Sequence, residues 1–161
     1  MLTSAQAWDI LHRVPDPEIP VISVTELGIV RDVQASSEGV DVVVTPTYSG
    51  CPATEAIERS IREALTAAGA AQVRVTTRLA PAWTTDWIEP AAQEKLRAYG
   101  IAPPGARDAT EVEPLTFLPR VECPRCGSKD TERLSQFGAT ACKALYRCRE
   151  CREPFEYFKP L

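Results

Sequence analysis

Apolar residues first recur at helical spacing in Ala7, Trp8, Ile10 and Leu11, which give one face to a helix predicted over residues 4–13 with Ser4 as its N-cap. Pro15 ends it. Asp16-Pro17-Glu18-Ile19-Pro20 then reads as a rigid turn, because each proline fixes φ and biases its predecessor away from helix. The pattern next shifts to strands over 29–33 and 40–45, joined by Ser36-Ser37-Glu38-Gly39, which predicts a hairpin. A second helix is predicted over 52–68, where Ala53, Ala56, Ile57, Ile61, Ala64, Leu65 and Ala68 share a face. Pro52 suits its first position, Glu55 its positive end and Gly69 its stop. Val73, Val75 and Thr77 alternate as a third strand, and a last helix covers 90–99. The order α-β-β-α-β-α predicts an α/β fold, with helices packed on a small mixed sheet.

Periodicity stops at residue 100. Residues 100–120 hold Pro103, Pro104, Pro114 and Pro119 with two glycines, the composition of a semi-rigid linker. Three segments result: a main domain over 1–99, a linker over 100–120 and a small unit over 121–161. A chain of 161 residues suits this division, since it can bury one core of about 100 residues and carry an appendage that needs a metal to fold. Hydrophobic content of 44% and charged content of 25% are those of a soluble protein. No apolar run approaches the roughly 18 residues of a membrane helix, and the first residues lack an export signal, so a cytoplasmic protein without a membrane is expected. Residues 1–99 carry net −5, residues 100–120 net −1 and residues 121–161 net +2. An acidic main domain argues against nucleic acid as a partner, because binding phosphates requires a basic face.

The small unit carries the sharpest chemistry. Cys123-Pro124-Arg125-Cys126 and Cys148-Arg149-Glu150-Cys151 are two CxxC pairs with 21 residues between Cys126 and Cys148. Each pair can bend the backbone so that two sulfurs reach one ion, and the stretch between them is long enough for a hairpin that brings the pairs together. This spacing predicts a zinc ribbon with a structural zinc on Cys123, Cys126, Cys148 and Cys151. Thiolate-only sites also hold mononuclear iron or a cluster, and that alternative stays open. Disulfides are the other reading, disfavoured in a reducing compartment. Cys142 is a spare thiol read as structural.

In the main domain, Cys51 stands just before the predicted helix, where backbone amides and the positive helix end favour a thiolate able to bind a metal or cluster or to attack as a nucleophile. The plain alternative is a small buried cysteine. Asp16 and Glu18 are ligand or acid/base candidates if their turn folds over Cys51; otherwise they are turn formers. His12, the lone histidine, reads as structural. Trp83 and Trp87 are candidates for an exposed docking surface, or close the core over the sheet. No serine-hydrolase element, phosphate-binding loop or dinucleotide fingerprint occurs.

Asp16-Pro17-Glu18-Ile19-Pro20-Val21, Leu27-Gly28-Ile29-Val30 and Thr45-Pro46-Thr47-Tyr48-Ser49-Gly50-Cys51-Pro52 resemble the DUF59 or SufT-like family of iron–sulfur cluster assembly factors, whose cysteine motif matches Cys51. Pro81-Ala82-Trp83-Thr84-Thr85-Asp86-Trp87, the stretch Phe137 to Cys148 and Glu153-Pro154-Phe155-Glu156-Tyr157-Phe158-Lys159 resemble the PaaD (PaaJ) family of the phenylacetyl-CoA epoxidase system. The resemblance implies an accessory role and no catalysis of its own. In that system a di-iron oxygenase does the chemistry and a flavin/[2Fe–2S] reductase supplies electrons from NADPH. The expected role is to help mature an iron–sulfur centre, foremost that of the reductase, with Cys51 holding a transient cluster. Partners are then the epoxidase components, with a homodimer left open. Two other readings stand beside it: a zinc-ribbon interaction module without cluster chemistry, and a Cys51-dependent enzyme.

Overall fold

The structure, a computed structural model, describes residues 2–105 and 120–161; most of the segment expected as a linker lies outside these residues. The chain divides into two compact units, Met1–Ala92 and Gln93–Leu161, ahead of the boundary expected after residue 99. Among the described residues no helix is long and apolar enough to cross a membrane.

The first unit begins with α1 (Ser4–Leu11). Its cap is Thr3, not Ser4 as expected. The Thr3 hydroxyl accepts from the Gln6 N–H at 3.2 Å while the Gln6 side chain accepts from the Thr3 N–H at 2.9 Å, which satisfies two helix-start donors reciprocally. Ser4 serves a different contact. Its hydroxyl accepts from the Ala35 N–H at 2.9 Å and ties α1 to β1 (Val30–Ala35). Strand β1 pairs antiparallel with β2 (Val40–Val44), the expected hairpin, and β2 pairs parallel with β3 (Val73–Thr77). Helix α2 (Thr54–Ala67) makes the crossover between β2 and β3 and buries Ile57, Ile61 and Leu65, the i, i+4, i+8 row of the predicted face. Helices α1 and α2 pack together, α1 on β1 and α2 on β3. Val33, Val40, Val42 and Val44 are buried with Ala7 and Leu11 in the core.

Residues 15–29 complete this core. Asp16 is buried, and its carboxylate accepts from the backbone N–H of Glu18 and of Ile19, both at 2.9 Å, so the proline-flanked turn is held from inside. It seats Ile19, Ile22, Val24 and Leu27. Gly28 has φ 74°, and a Cβ there would lie 2.6 Å from the Trp87 carbonyl oxygen and 2.7 Å from its Cβ, so only glycine lets the two segments close.

The second unit takes in α3 (Pro90–Tyr99), which runs across the division, and a four-stranded sheet in the order β4-β7-β6-β5. The predicted hairpin is β5 (Thr131–Ser135) with β6 (Lys143–Cys148). Strand β7 (Pro154–Phe158), antiparallel to β6, was not foreseen, nor was β4 (Ile101–Ala102), which pairs parallel with β7 inside the segment expected as linker. Tyr146, Phe155 and Tyr157 form its aromatic core, with Tyr146 stacked on Phe155 and edge-on to Tyr157.

Gly28→Ala combines positive-φ strain with a backbone clash and is expected to lower stability by at least about 2 kcal/mol. Urea unfolding followed by circular dichroism measures it; stability within error of the parent refutes the close approach.

Candidate metal centre and the Cys51 turn

Two knuckles bring the thiols of the second unit together. In the first, the Gly127 N–H donates to the Cys123 carbonyl at 2.9 Å and the Cys123 N–H to the Ser128 carbonyl at 2.9 Å. In the second, the Cys148 N–H donates to the Glu153 carbonyl at 3.0 Å. Each turn needs a left-handed residue just after its second cysteine: Gly127 has φ 75°, and Arg152 takes the same region at 64° against its steric preference. The sulfurs of Cys123, Cys126, Cys148 and Cys151 all lie within 4.8 Å of one another, with Cys123 to Cys151 at 3.8 Å and Cys126 to Cys148 at 3.5 Å. Cys123 and Cys148 are buried, Cys126 and Cys151 exposed, and all are free thiols, which sets the disulfide alternative aside.

This donor set fits a tetrahedral ion. Four sulfurs about 2.3 Å from a zinc would stand about 3.8 Å apart, close to the observed separations. Electrostatics points the same way. The Cys151 backbone N–H, with the Cys126 thiol and the Glu150 N–H, lowers the pKa of Cys148 to about 7. At Cys151 the Glu153 N–H favours the thiolate, but desolvation and the sulfurs of Cys148, Cys126 and Cys123 outweigh it and push the thiol up to about 12. At Cys126 the Ser128 N–H is likewise outweighed, by desolvation and the neighbouring thiols, and its pKa rises. One sulfur ionises near neutrality and then holds back the others. A bound cation removes that penalty.

Cys142 is buried outside this cluster, 3.0 Å from the Thr140 hydroxyl. Beside the cluster, Glu132 pairs with Arg147 and Arg149, whose hydrogen bonds lower its pKa. The buried Lys143 ammonium pairs with Glu156 at 2.6 Å. These carboxylates anchor the basic residues of the ribbon.

Cys51 is half-buried and does not cap α2. Pro52 and Ala53 turn first, and the helix starts at Thr54 with Ala53 in the cap position and no side-chain cap bond. The Cys51 backbone N–H donates to the Tyr48 carbonyl at 3.3 Å, and its carbonyl accepts from the Thr54 N–H at 3.1 Å. The positive helix end is therefore two residues farther along the chain than expected, at Thr54 instead of Pro52. At the end of β2, before this turn, the buried Thr45 hydroxyl has no hydrogen-bond partner among the described residues, a feature with no sequence signal.

The other candidates part company. Among the described residues the four ribbon cysteines form the one group of three or more metal-capable side chains, so Asp16 and Glu18 do not join Cys51 in such a group. Asp16 holds its own turn, and Glu18 is exposed. Trp83 is not an exposed docking residue: it is buried, its indole N–H donates to the Leu27 carbonyl at 3.0 Å, and it closes the core. Trp87 is half-buried, with the Arg31 guanidinium 3.6 Å above its ring. Sequence reasoning missed Glu26, buried at 4% exposure. Its carboxylate accepts from the Ser23 N–H at 2.9 Å while the Ser23 hydroxyl accepts from the Glu26 N–H at 3.2 Å. The Ser-x-x-Glu spacing of a capping box was its legible signal.

Comparison with known proteins places both units. Residues 4–77 match the family model of an iron–sulfur cluster assembly protein, and residues 108–159 match that of the PaaD zinc beta ribbon domain, which defines an assembly domain followed by a metal-binding ribbon. Over 154 residues the chain is 54% identical to a putative 1,2-phenylacetyl-CoA epoxidase subunit of Escherichia coli (strain K12), covering 96% of this chain and 91% of that protein. The chain belongs to the family of that epoxidase subunit. It is also 33% identical over 88 residues to the "Fe-S protein maturation auxiliary factor" of Porphyromonas gingivalis (strain ATCC BAA-308 / W83), covering 53% of this chain and 83% of that one. A DUF59 domain from Bacillus anthracis shares the fold, with a TM-score of 0.54 and 24% identity over 58% of this chain and 90% of its own.

Metal and protons compete for these sulfurs, so zinc affinity rises with pH as the thiols deprotonate, and chelator competition at pH 8 finds tighter binding than at pH 6. Equal affinity at both would exclude thiolate ligation. Cys148→Ser is expected to release the metal and unfold residues 121–161 while the first unit stays folded. Stoichiometric zinc in that variant would remove Cys148 from the ligand set.

Proposed function

We propose that this chain is a cytoplasmic accessory factor of the phenylacetyl-CoA epoxidase, without catalytic activity of its own, that assists assembly of an iron–sulfur cluster or its delivery to the flavin/[2Fe–2S] reductase. The observation that carries this reading is the half-exposed thiol of Cys51, in a turn of the unit that matches the assembly family and separate from the four-thiol centre. The near-full-length relation to an epoxidase subunit supports the client system, and the relation to a maturation factor supports the role in cluster assembly.

The two thiol sites then have different duties. On the ribbon, all four positions around a zinc are filled by Cys123, Cys126, Cys148 and Cys151, which leaves none for a substrate and makes the ion structural. Cys51 meets the cluster as cargo. One thiolate supplies one of the roughly four ligands a cluster needs, so the remainder come from a client or a second copy of this chain, and incomplete ligation favours release. Asp16 serves its own turn, where its carboxylate accepts from the Glu18 and Ile19 N–H groups. The first unit's acidity disfavours nucleic acid as a partner.

Cys51→Ser keeps the size of the side chain and removes the soft ligand. The variant is expected to keep its circular dichroism spectrum and thermal midpoint while the reductase from cells grown on phenylacetate carries less of its cluster, measured as iron per flavin and by visible absorption. A fully loaded reductase and normal growth would make Cys51 a packing residue and favour the interaction-module reading.

A further inference from the structure

One groove of the first unit gathers chemistry that neither thiol site uses. Its volume is about 340 Å³, and Trp8, Asp9, His12, Arg31, Trp87 and Glu89 are among its lining residues. We propose that it binds an aromatic monocarboxylate, with Arg31 and His12 taking the carboxylate and Trp8 the ring.

Arg31 is placed for this by the backbone. Val30 pairs with Val44 and Asp32 with Val43, so Arg31 is the extra residue of a β-bulge, a device that re-aims a side chain out of the strand alternation. The guanidinium lies over Trp87, 3.6 Å from the ring centroid. Stacking uses its face and leaves the in-plane N–H donors, of which Nη1 alone is engaged, with the Gly28 carbonyl at 3.4 Å. No carboxylate pairs with Arg31 among the described residues. Burial, and then the charge of Arg78, lower its pKa, as expected of a cation without a counter-ion.

His12 offers a second donor. Its Nδ1 lies 2.9 Å from the Thr25 hydroxyl, which in turn lies 2.9 Å from the Ser23 hydroxyl. In the tautomer in which Thr25 donates to Nδ1, Nε2 carries the imidazole proton and is the donor that a carboxylate meets. Two carboxylates in the same groove, Asp9 and Glu89, repel a dianion and select a single negative charge. Trp8 is half-buried, and its indole offers the apolar wall on which a ring gains and a small aliphatic acid does not.

The full chain is titrated with sodium benzoate, acetate and inorganic phosphate by calorimetry, with the indole N–H signals followed by NMR. Benzoate is expected to saturate within the millimolar range and to shift Trp8 and Trp87 more than the buried Trp83. Acetate should bind about tenfold more weakly and phosphate not measurably. Arg31→Lys keeps the charge but loses the fork, and is expected to weaken benzoate about tenfold. Glu89→Gln should tighten it about twofold by removing a like charge. No saturable benzoate binding, equal acetate binding, a preference for phosphate, or unchanged affinity in Arg31→Lys would each overturn the proposal. If Arg31→Lys does not fold, the exposed Glu89→Gln decides, and unchanged or weaker affinity overturns it.

Discussion

Four sulfur atoms within 4.8 Å of one another set the terms for the second unit. As thiols they lose protons one after another, since each thiolate raises the cost of the next; as ligands of one cation they ionise together. Its sheet gathers Tyr146, Phe155 and Tyr157 with a few smaller residues in one cluster, and the unit also buries Leu96, Ile101 and Phe158. Two of its core side chains are the ligands Cys123 and Cys148, so the aromatic cluster and the thiol centre are the same piece of structure. The left-handed Arg152 shows that knuckle geometry prevails over local preference there.

The first unit stands on different physics. Its strands and helices bury valine, isoleucine and leucine in an ordinary core, and its turns are closed by buried polar groups, Asp16 in one and the Ser23–Glu26 box in the next. Such a scaffold needs no ion. Its cysteine stands in a half-buried turn and is not a member of the four-thiol group. One chain thus holds its six cysteines in three settings: four within 4.8 Å of one another, Cys142 buried outside that group, and Cys51 in a half-buried turn.

Trp83 and Trp87 show how little a residue type says about its use. They are four positions apart, and the short 3-10 turn Thr85–Trp87 ends on the second. Trp83 turns inward to the Leu27 carbonyl, while Trp87 lies against Gly28 and under Arg31. Both depend on the 24–30 segment, and the absence of a Cβ at Gly28 permits the approach. The bulge at Arg31 completes the arrangement by moving a strand residue out of register.

Periodicity and spacing alone encode the helices α1, α2 and α3, the order of the first three strands, and the two CxxC pairs whose separation allows a hairpin. These signals are local, because a helix face repeats within a few residues and a knuckle needs only four. Contacts between distant residues settle the rest. Ser4 is by itself at least as good a cap as Thr3, and the bond from Ala35, 31 residues away, assigns Ser4 to β1. Asp16 reads as a ligand or as a turn former until its carboxylate is seen to be engaged by its own backbone. Cys51 loses the cap position because the chain takes one more turn before the helix starts. Strands β4 and β7 were invisible because each takes its hydrogen bonds from partners elsewhere in the chain, and only pairing tells a two-residue strand from a linker.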